Sequence, residues 1–466
     1  MPDAADLTGL DHAHLWHPFT PMQQWRQQPP LIIERGDGPY LIDSDGRRYI
    51  DGVSSLWCNV HGHNVPYLNA AVRDQLDKIA HTTLLGLASP PSTELAGRLA
   101  DITPAGLNKV FYSDAGATAV EVACKMAVGY WFHGGRGEKN GFIAFSGAYH
   151  GDTTGAMSVG YSESFHRPFA SMVFPVTFVP APGASTIVPG GDCFASDDEH
   201  RVAAAATKSL DALAATLEQQ ADQTAAVIIE PVMQGAAGMI CQPPGFVAGV
   251  RELATKHDLL MIADEVATGF GRTGAMFACE HDEVAPDIMC LAKGITGGYL
   301  PLAATLCTDD VEQAFCGPIG ARRTLYHGHT YTGNPLGCAA ALASLDLFGQ
   351  TNLLAHIRRS AAIITDRLAA LQSSNHVLDI RQRGIMVGIE LGADRAAGRK
   401  LDPDEQPAAR LCLAMREKGL IIRPLGDVIV LMPIPAMPHD VLNHMLDIVI
   451  ESVLAPQPLA MATQST

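Results

Sequence analysis

The chain has 466 residues, too many for one small core, which predicts a large domain plus a smaller one. Hydrophobic residues make up 47% and charged residues 17%, an ordinary globular balance that argues against disorder over most of the length. The formal net charge of -17 argues against nonspecific binding to nucleic acid or anionic membrane, although a few well-placed Arg or Lys residues still make a pocket for a small anion.

The ten cysteines contain no Cys-x-x-Cys pair and lie mostly in apolar runs. Buried free thiols are expected rather than a disulfide framework or a zinc site, and no metal is expected. The N-terminus lacks a basic stretch followed by an apolar core, and no segment is apolar enough to span a bilayer, so a cytoplasmic protein is expected.

Residues 1–65 mix turns and short strands, and "PLIIERGDGPYLIDSDGRRYIDG" reads as hairpins with two Asp/Gly turns. Residues 66–345 alternate strand and helix, which predicts an α/β domain around a mainly parallel sheet. Within it, "VFYSD" reads as a strand, and Gly116, Ala117 and Thr118 open a helix with Ala119, Val122, Ala123, Met126 and Tyr130 on its apolar face. Thr118 and Glu121 have capping-box spacing. The stretch 181–198 is rich in Gly, Pro, Ser and Asp and reads as a surface loop. Ala225–Glu230 and Leu259–Glu265 read as apolar strands ending in carboxylates, joined by a helix burying Phe246, Val250, Leu253 and Ala254. Residues 346–455 read as a C-terminal small α+β domain to which the N-terminal segment returns, and 456–466 as a disordered tail.

Ligands of open α/β sheets bind at the carboxyl ends of the strands, where Asp264 and Lys293 both fall. Alone, Lys293 reads better as a surface lysine at a strand end. Its apolar neighbours and Gly294 would desolvate it and favour the neutral amine that Schiff-base chemistry needs. An aspartate partner for a pyridinium nitrogen is the recurring companion of such a lysine, and Asp264 reverses the balance. Small residues at a helix start, here Gly116 and Ala117, suit a phosphate, though the same pattern is an ordinary strand-to-helix turn. Tyr149, beside His150 in a Gly-rich loop, reads equally as a ring for stacking on a flat cofactor or a cover for the core edge. Gly328, His329 and Thr330 carry polar groups suited to phosphate, and Arg423 would suit a carboxylate or stand as a surface arginine.

Taken together, "ADEVATGFGRTG" followed by "LAKGITGGYLPLAA" resembles the class III aminotransferases of fold type I, and the resemblance covers nearly the whole chain. "HLWHPFTPM" and "DGVSSLWCNVHGHN" narrow it to the branch that aminates 8-amino-7-oxononanoate in biotin synthesis. The resemblance implies a fold type I pyridoxal-phosphate transferase acting as a homodimer with shared sites. It implies that Lys293 binds pyridoxal 5'-phosphate covalently and shuttles a proton. Asp264 faces the ring nitrogen, Gly116 and Ala117 cradle the phosphate, and His329 and Thr330 reach it from the second subunit. Tyr149 stacks on the ring and lines the substrate site, Gly328 and Arg423 contact substrate, and Arg272 lies beside the pocket. This chain has Ala117 where a Ser is usual, Phe19 where a Tyr is usual and Leu56 where a Trp is usual. The last two leave S-adenosylmethionine only narrowly ahead of lysine as donor. Another class III ω-aminotransferase is the nearest rival, and an aminomutase or decarboxylase would keep both Lys293 and Asp264.

Overall fold

The computed structural model describes residues 4–183, 199–395, 397–402 and 405–455. The predicted tail 456–466 and all but the first three residues of the predicted loop 181–198 lie outside them.

The chain folds around a seven-stranded sheet. Its order is Lys109–Ser113, Ala303–Cys307, Ile288–Leu291, Leu260–Asp264, Thr224–Ile229, Gly141–Phe145 and Thr177–Val179. Only Ala303–Cys307 runs against the others. The two strands flanking the site, Thr224–Ile229 and Leu260–Asp264, are buried at every position. That explains their unbroken apolar runs, since a parallel sheet is covered on both faces. Ala226, Ile228 and Ile262 pack toward the helix Gly116–His133. Their alternates Val227, Ile229 and Met261 pack toward the helices Glu199–Gln220 and Phe246–Lys256. In that second helix Val247 is fully buried and Leu253, expected in the core, is half-buried.

The helix Gly116–His133 begins as predicted, but its cap differs. Thr118 is the third helical residue and its hydroxyl accepts from the backbone N–H of Ala115 at 3.0 Å. Glu121 lies one turn further on and takes the N–H groups of Gly155 and Ala156 instead, so the two do not form a capping box.

The N-terminal strands Ile33–Asp37, Tyr40–Asp43 and Arg48–Asp51 form an antiparallel sheet, joined in parallel by Leu420–Ile421. This pairing carries the first part of the chain back to the C-terminal part. A second antiparallel sheet runs Val377–Arg383, Met386–Leu391, Val428–Leu431, Arg423–Leu425. The helices Leu353–Leu368, Pro407–Glu417 and His439–Leu454 bury Ile357, Ile364, Leu411, Met415, Met445 and Val449 in the core beside it. Among the described residues eight cysteines are free thiols, six of them buried. No described helix is long and apolar enough to cross a membrane.

Candidate active site

Five strand ends deliver the candidate residues to one edge of the large sheet. Ser113 leads to Gly116, Phe145 to Tyr149 and His150, Ile229 to Glu230, and Leu291 to Lys293, while Asp264 ends its own strand. Parallel register sets Asp264 beside Cys290 and Ala263 beside Ile229, so Glu230, Asp264 and Lys293 converge.

Asp264 is 4% exposed. Its Oδ1 accepts from the backbone N–H of Val266 at 3.0 Å, and its Oδ2 pairs with His150 Nδ1 at 2.7 Å. A carboxylate accepts, so Nδ1 carries the proton, and two bonds leave further lone pairs of Asp264 free. His150 Nε2 is buried with no partner among the described residues. Glu230 accepts from the backbone N–H groups of Tyr149 at 3.1 Å and Gly235 at 2.9 Å. Burial pushes its carboxyl up to about 7.

Lys293 takes a left-handed backbone (φ 43°), a conformation uncommon for a side chain of its size. Desolvation lowers its amine below the ordinary lysine value, against the opposing pull of Asp264 and Glu230. Its Nζ lies 5.2 Å from the centre of the Trp57 ring and has no hydrogen-bond partner among the described residues.

Gly116 opens its helix against Val266. A Cβ there would fall 2.6 Å from Val266 Cγ1. Gly151, at φ +124°, backs so closely on Ala117 that a Cβ would come within 2.4 Å of the Ala117 Cβ. The first N–H groups of a helix have no acceptor within it, which makes this tight corner an anion cradle. Tyr149 lies alongside, its hydroxyl donating to Asp152 at 2.7 Å and its ring near-parallel to His166. Phe19 is exposed and meets Phe165 edge-on, and Phe165 in turn meets His166. Leu56 is exposed in the kinked turn Ser54–Trp57.

His329 is half-buried, its Nδ1 3.6 Å from Asp114 and its Nε2 3.0 Å from His327, while Gly328 and Thr330 are exposed. Arg423 is exposed, and its guanidinium has no partner among the described residues. Arg272 is placed otherwise than a residue offering a free fork to substrate. It is 1% exposed and donates to Ser54 Oγ, Pro433 O and Asn59 O at 2.9–3.0 Å. Burial holds its guanidinium down to about 10. Sequence reasoning gave no role to His150 or Glu230. The signal for Glu230 was a carboxylate ending an apolar strand, and nothing local marks His150 as a partner of Asp264 across 114 positions.

These residues fit pyridoxal phosphate. An unpaired, desolvated amine faces a buried carboxylate with free lone pairs, and a glycine-tight helix start lies on the same edge.

The model for the family described as aminotransferase class-III matches residues 22–453. The adenosylmethionine-8-amino-7-oxononanoate aminotransferase of Geobacter sulfurreducens is 48% identical over 445 residues, 96% of each chain. The crystal structure of the enzyme of that name from Methanocaldococcus jannaschii superposes with a TM-score of 0.90 at 42% identity, covering 97% of this chain and 99% of that one. An amine transaminase from an uncultivated Pseudomonas species, solved in its PLP-bound form, gives 0.85 at 35% identity and covers 94% and 98%. A sheet that gathers an unpaired lysine and a buried aspartate, in a chain matched almost end to end, leaves one assignment: the chain belongs to the class III aminotransferases.

Proposed function

We propose that the protein transfers an amino group to 8-amino-7-oxononanoate, giving 7,8-diaminononanoate in biotin synthesis, with S-adenosylmethionine as donor. The observation that carries this is 48% identity over nearly all of both chains to a relative of that name, joined to the Lys293 and Asp264 geometry. The cofactor is pyridoxal 5'-phosphate. Lys293 would hold it covalently, Asp264 would face its ring nitrogen, and Tyr149 would cover its ring. The N–H groups of Gly116 and Ala117 would take the phosphate, with His329 and Thr330 from the second subunit of a cytoplasmic homodimer.

When bound, that cofactor supplies an aldehyde that condenses with amines and a ring that draws off the electrons left by a broken C–H bond. The protein's own part is to bind, orient and move protons. Desolvation favours the neutral form of Lys293, whose Nζ can take a proton from the substrate carbon and return it. The Asp264 carboxylate would raise the basicity of a nitrogen facing it, and His150 fixes the carboxylate's orientation. Nine-carbon 8-amino-7-oxononanoate has its carboxylate at the end remote from the ketone, so it needs a cation away from Lys293. Arg423, exposed and unpaired, is suited to that role, with Gly328 beside the substrate. Arg272, buried and donating three N–H groups to Ser54, Pro433 and Asn59, backs the site.

The donor is the finer question. Leu56 gives no aromatic face for adenine and Phe19 no hydroxyl. These two positions favour lysine as the second reading of the donor, and another class III ω-aminotransferase remains the rival for the reaction.

The lowered Lys293 amine sets a pH dependence. Below its ordinary value of 10.5 the folded chain binds fewer protons than the unfolded one, so its contribution to stability improves as pH rises toward 10.5. Without cofactor, Lys293→Met should therefore melt above the native protein at pH 7, by a margin that narrows as pH rises. A margin independent of pH would show that the amine is not desolvated.

Arg423→Ala should raise the KM for 8-amino-7-oxononanoate far more than that for the donor, by roughly the 1.5–3 kcal/mol of a hydrogen bond between charged groups. Equal effects on both substrates would place Arg423 outside the carboxylate site.

The function itself is tested by incubating the cofactor-loaded protein with 8-amino-7-oxononanoate and either donor and measuring 7,8-diaminononanoate. The native protein should form it. Phe19→Tyr with Leu56→Trp should move the kcat/KM ratio toward S-adenosylmethionine by about the 0.5–2 kcal/mol of a cation–π contact. No product with either donor would refute the reaction, and an unchanged ratio would remove these two positions from donor choice.

A further inference from the structure

The segment Ser54–Asn59 joins the N-terminal sheet to the site and carries Leu56 and Trp57. It holds three left-handed residues that are not glycine: Ser54 at φ 51°, Ser55 at φ 61° and Trp57 at φ 64°. Such conformations persist only where surrounding contacts over-determine them. The contacts come from two sides. Arg272 donates to Ser54 Oγ and to the carbonyl of Asn59, and Ser54 Oγ donates to the carbonyl of Met432. From the other side comes Asp51, whose side chain is fully buried. Its Oδ1 accepts from the backbone N–H of Ser55 at 2.8 Å. Its Oδ2 accepts from the Ser55 hydroxyl at 2.9 Å and from His63 Nε2 at 3.0 Å.

His63 is held in turn. Its Nδ1 accepts from the Asn59 amide at 3.2 Å, which leaves the proton on Nε2. The side-chain Oδ1 of Asn59 accepts from the N–H of Gly62 at 2.8 Å. Asp51, His63 and a serine suggest a nucleophile with its base, but the Ser55 hydroxyl bonds the carboxylate and not the imidazole, so no base is set against it. The group therefore serves to hold shape. The loop is also tied to the turn of Lys293, since the N–H of Val60 donates to the carbonyl of Gly297 and a Cβ on Gly298 would meet Asn59 Cα at 2.8 Å. A buried carboxylate with three hydrogen bonds thus acts on the wall of the site at one remove, through Ser55 and Asn59.

We infer that Asp51, with His63 behind it, is a positioning residue. It holds the Ser54–Asn59 loop in its left-handed shape and so sets how tightly the site grips its amine substrates through Leu56 and Trp57. This rests on the reading of Leu56 as a wall of the substrate site.

The test is Asp51→Asn in the cofactor-loaded protein, with Ser55→Ala as a milder variant that removes one hydroxyl bond. In Asp51→Asn the charge is lost, and the new amide N–H faces a donor, Ser55 N–H on one side or His63 N–H on the other. Hydrogen exchange at the amides of residues 55–60 should speed up by about tenfold or more, the effect of losing a hydrogen bond to a charged group. Exchange in the strand Leu260–Asp264 should not change. Substrate KM should rise about tenfold with kcat within about threefold, the pattern of lost uniform binding. Ser55→Ala should shift both readouts the same way by less. Unchanged loop exchange would overturn the inference, as would faster exchange throughout the sheet. Faster loop exchange with unchanged KM would also overturn it, since the loop would not set affinity. Exchange needs no substrate, so an error in the substrate assignment shows separately, as absent turnover in the native protein.

Discussion

Burying one amine and two carboxylates at the same strand edge constrains everything around them. An ion taken from water must be neutralised, paired or hydrogen-bonded, or the fold bears its desolvation cost. Here each has a different solution. Asp264 is hydrogen-bonded by His150 and a backbone N–H. Glu230 takes two backbone N–H groups, yet burial still raises it to about 7. Lys293 has no bond among the described residues and is pushed toward its neutral form. Burial thus moves Glu230 up and Lys293 down, toward each other, from ordinary values about six units apart.

The rest of the architecture serves that edge. The large sheet supplies the chemistry from strand ends whose register is fixed by hydrogen bonds. The pieces suited to recognising substrates come from elsewhere in the chain: Phe19 and Leu56 from the N-terminal segment, and Arg423 from the C-terminal one. The pairing of Ile421 with Asp51 binds those two segments, so Arg423 and the Ser54–Asn59 loop hang from neighbouring strands. Arg272 fastens the same loop to Pro433 and is a structural tie between both segments and the large sheet. Phe19 and Leu56 thus lie on a segment separate from the strand ends that carry Asp264 and Lys293.

What was legible in the sequence follows from range. Apolar strands ending in Asp264 and Glu230, and the short run ending at Lys293, gave the parallel sheet and its functional edge, because a strand buried on both faces writes itself as an unbroken apolar run. The helix start at Gly116 was equally plain. What failed depended on partners far away or one turn away. Thr118 and Glu121 had cap spacing, but the strand delivers the chain so that Ala115 is the cap and Glu121 reaches another helix. His150 was visible only as a loop histidine, since its aspartate is 114 positions on. The ties of Arg272 to Ser54, Asn59 and Pro433, 161 to 218 positions away, were likewise not written in its motif.

The central claim is that the desolvated amine of Lys293 is the covalent anchor of the cofactor. Reducing the pyridoxal-phosphate-loaded protein with borohydride and mapping the labelled peptide tests it directly. One label per chain, on Lys293, is expected. A label on another lysine, or none, would contradict it.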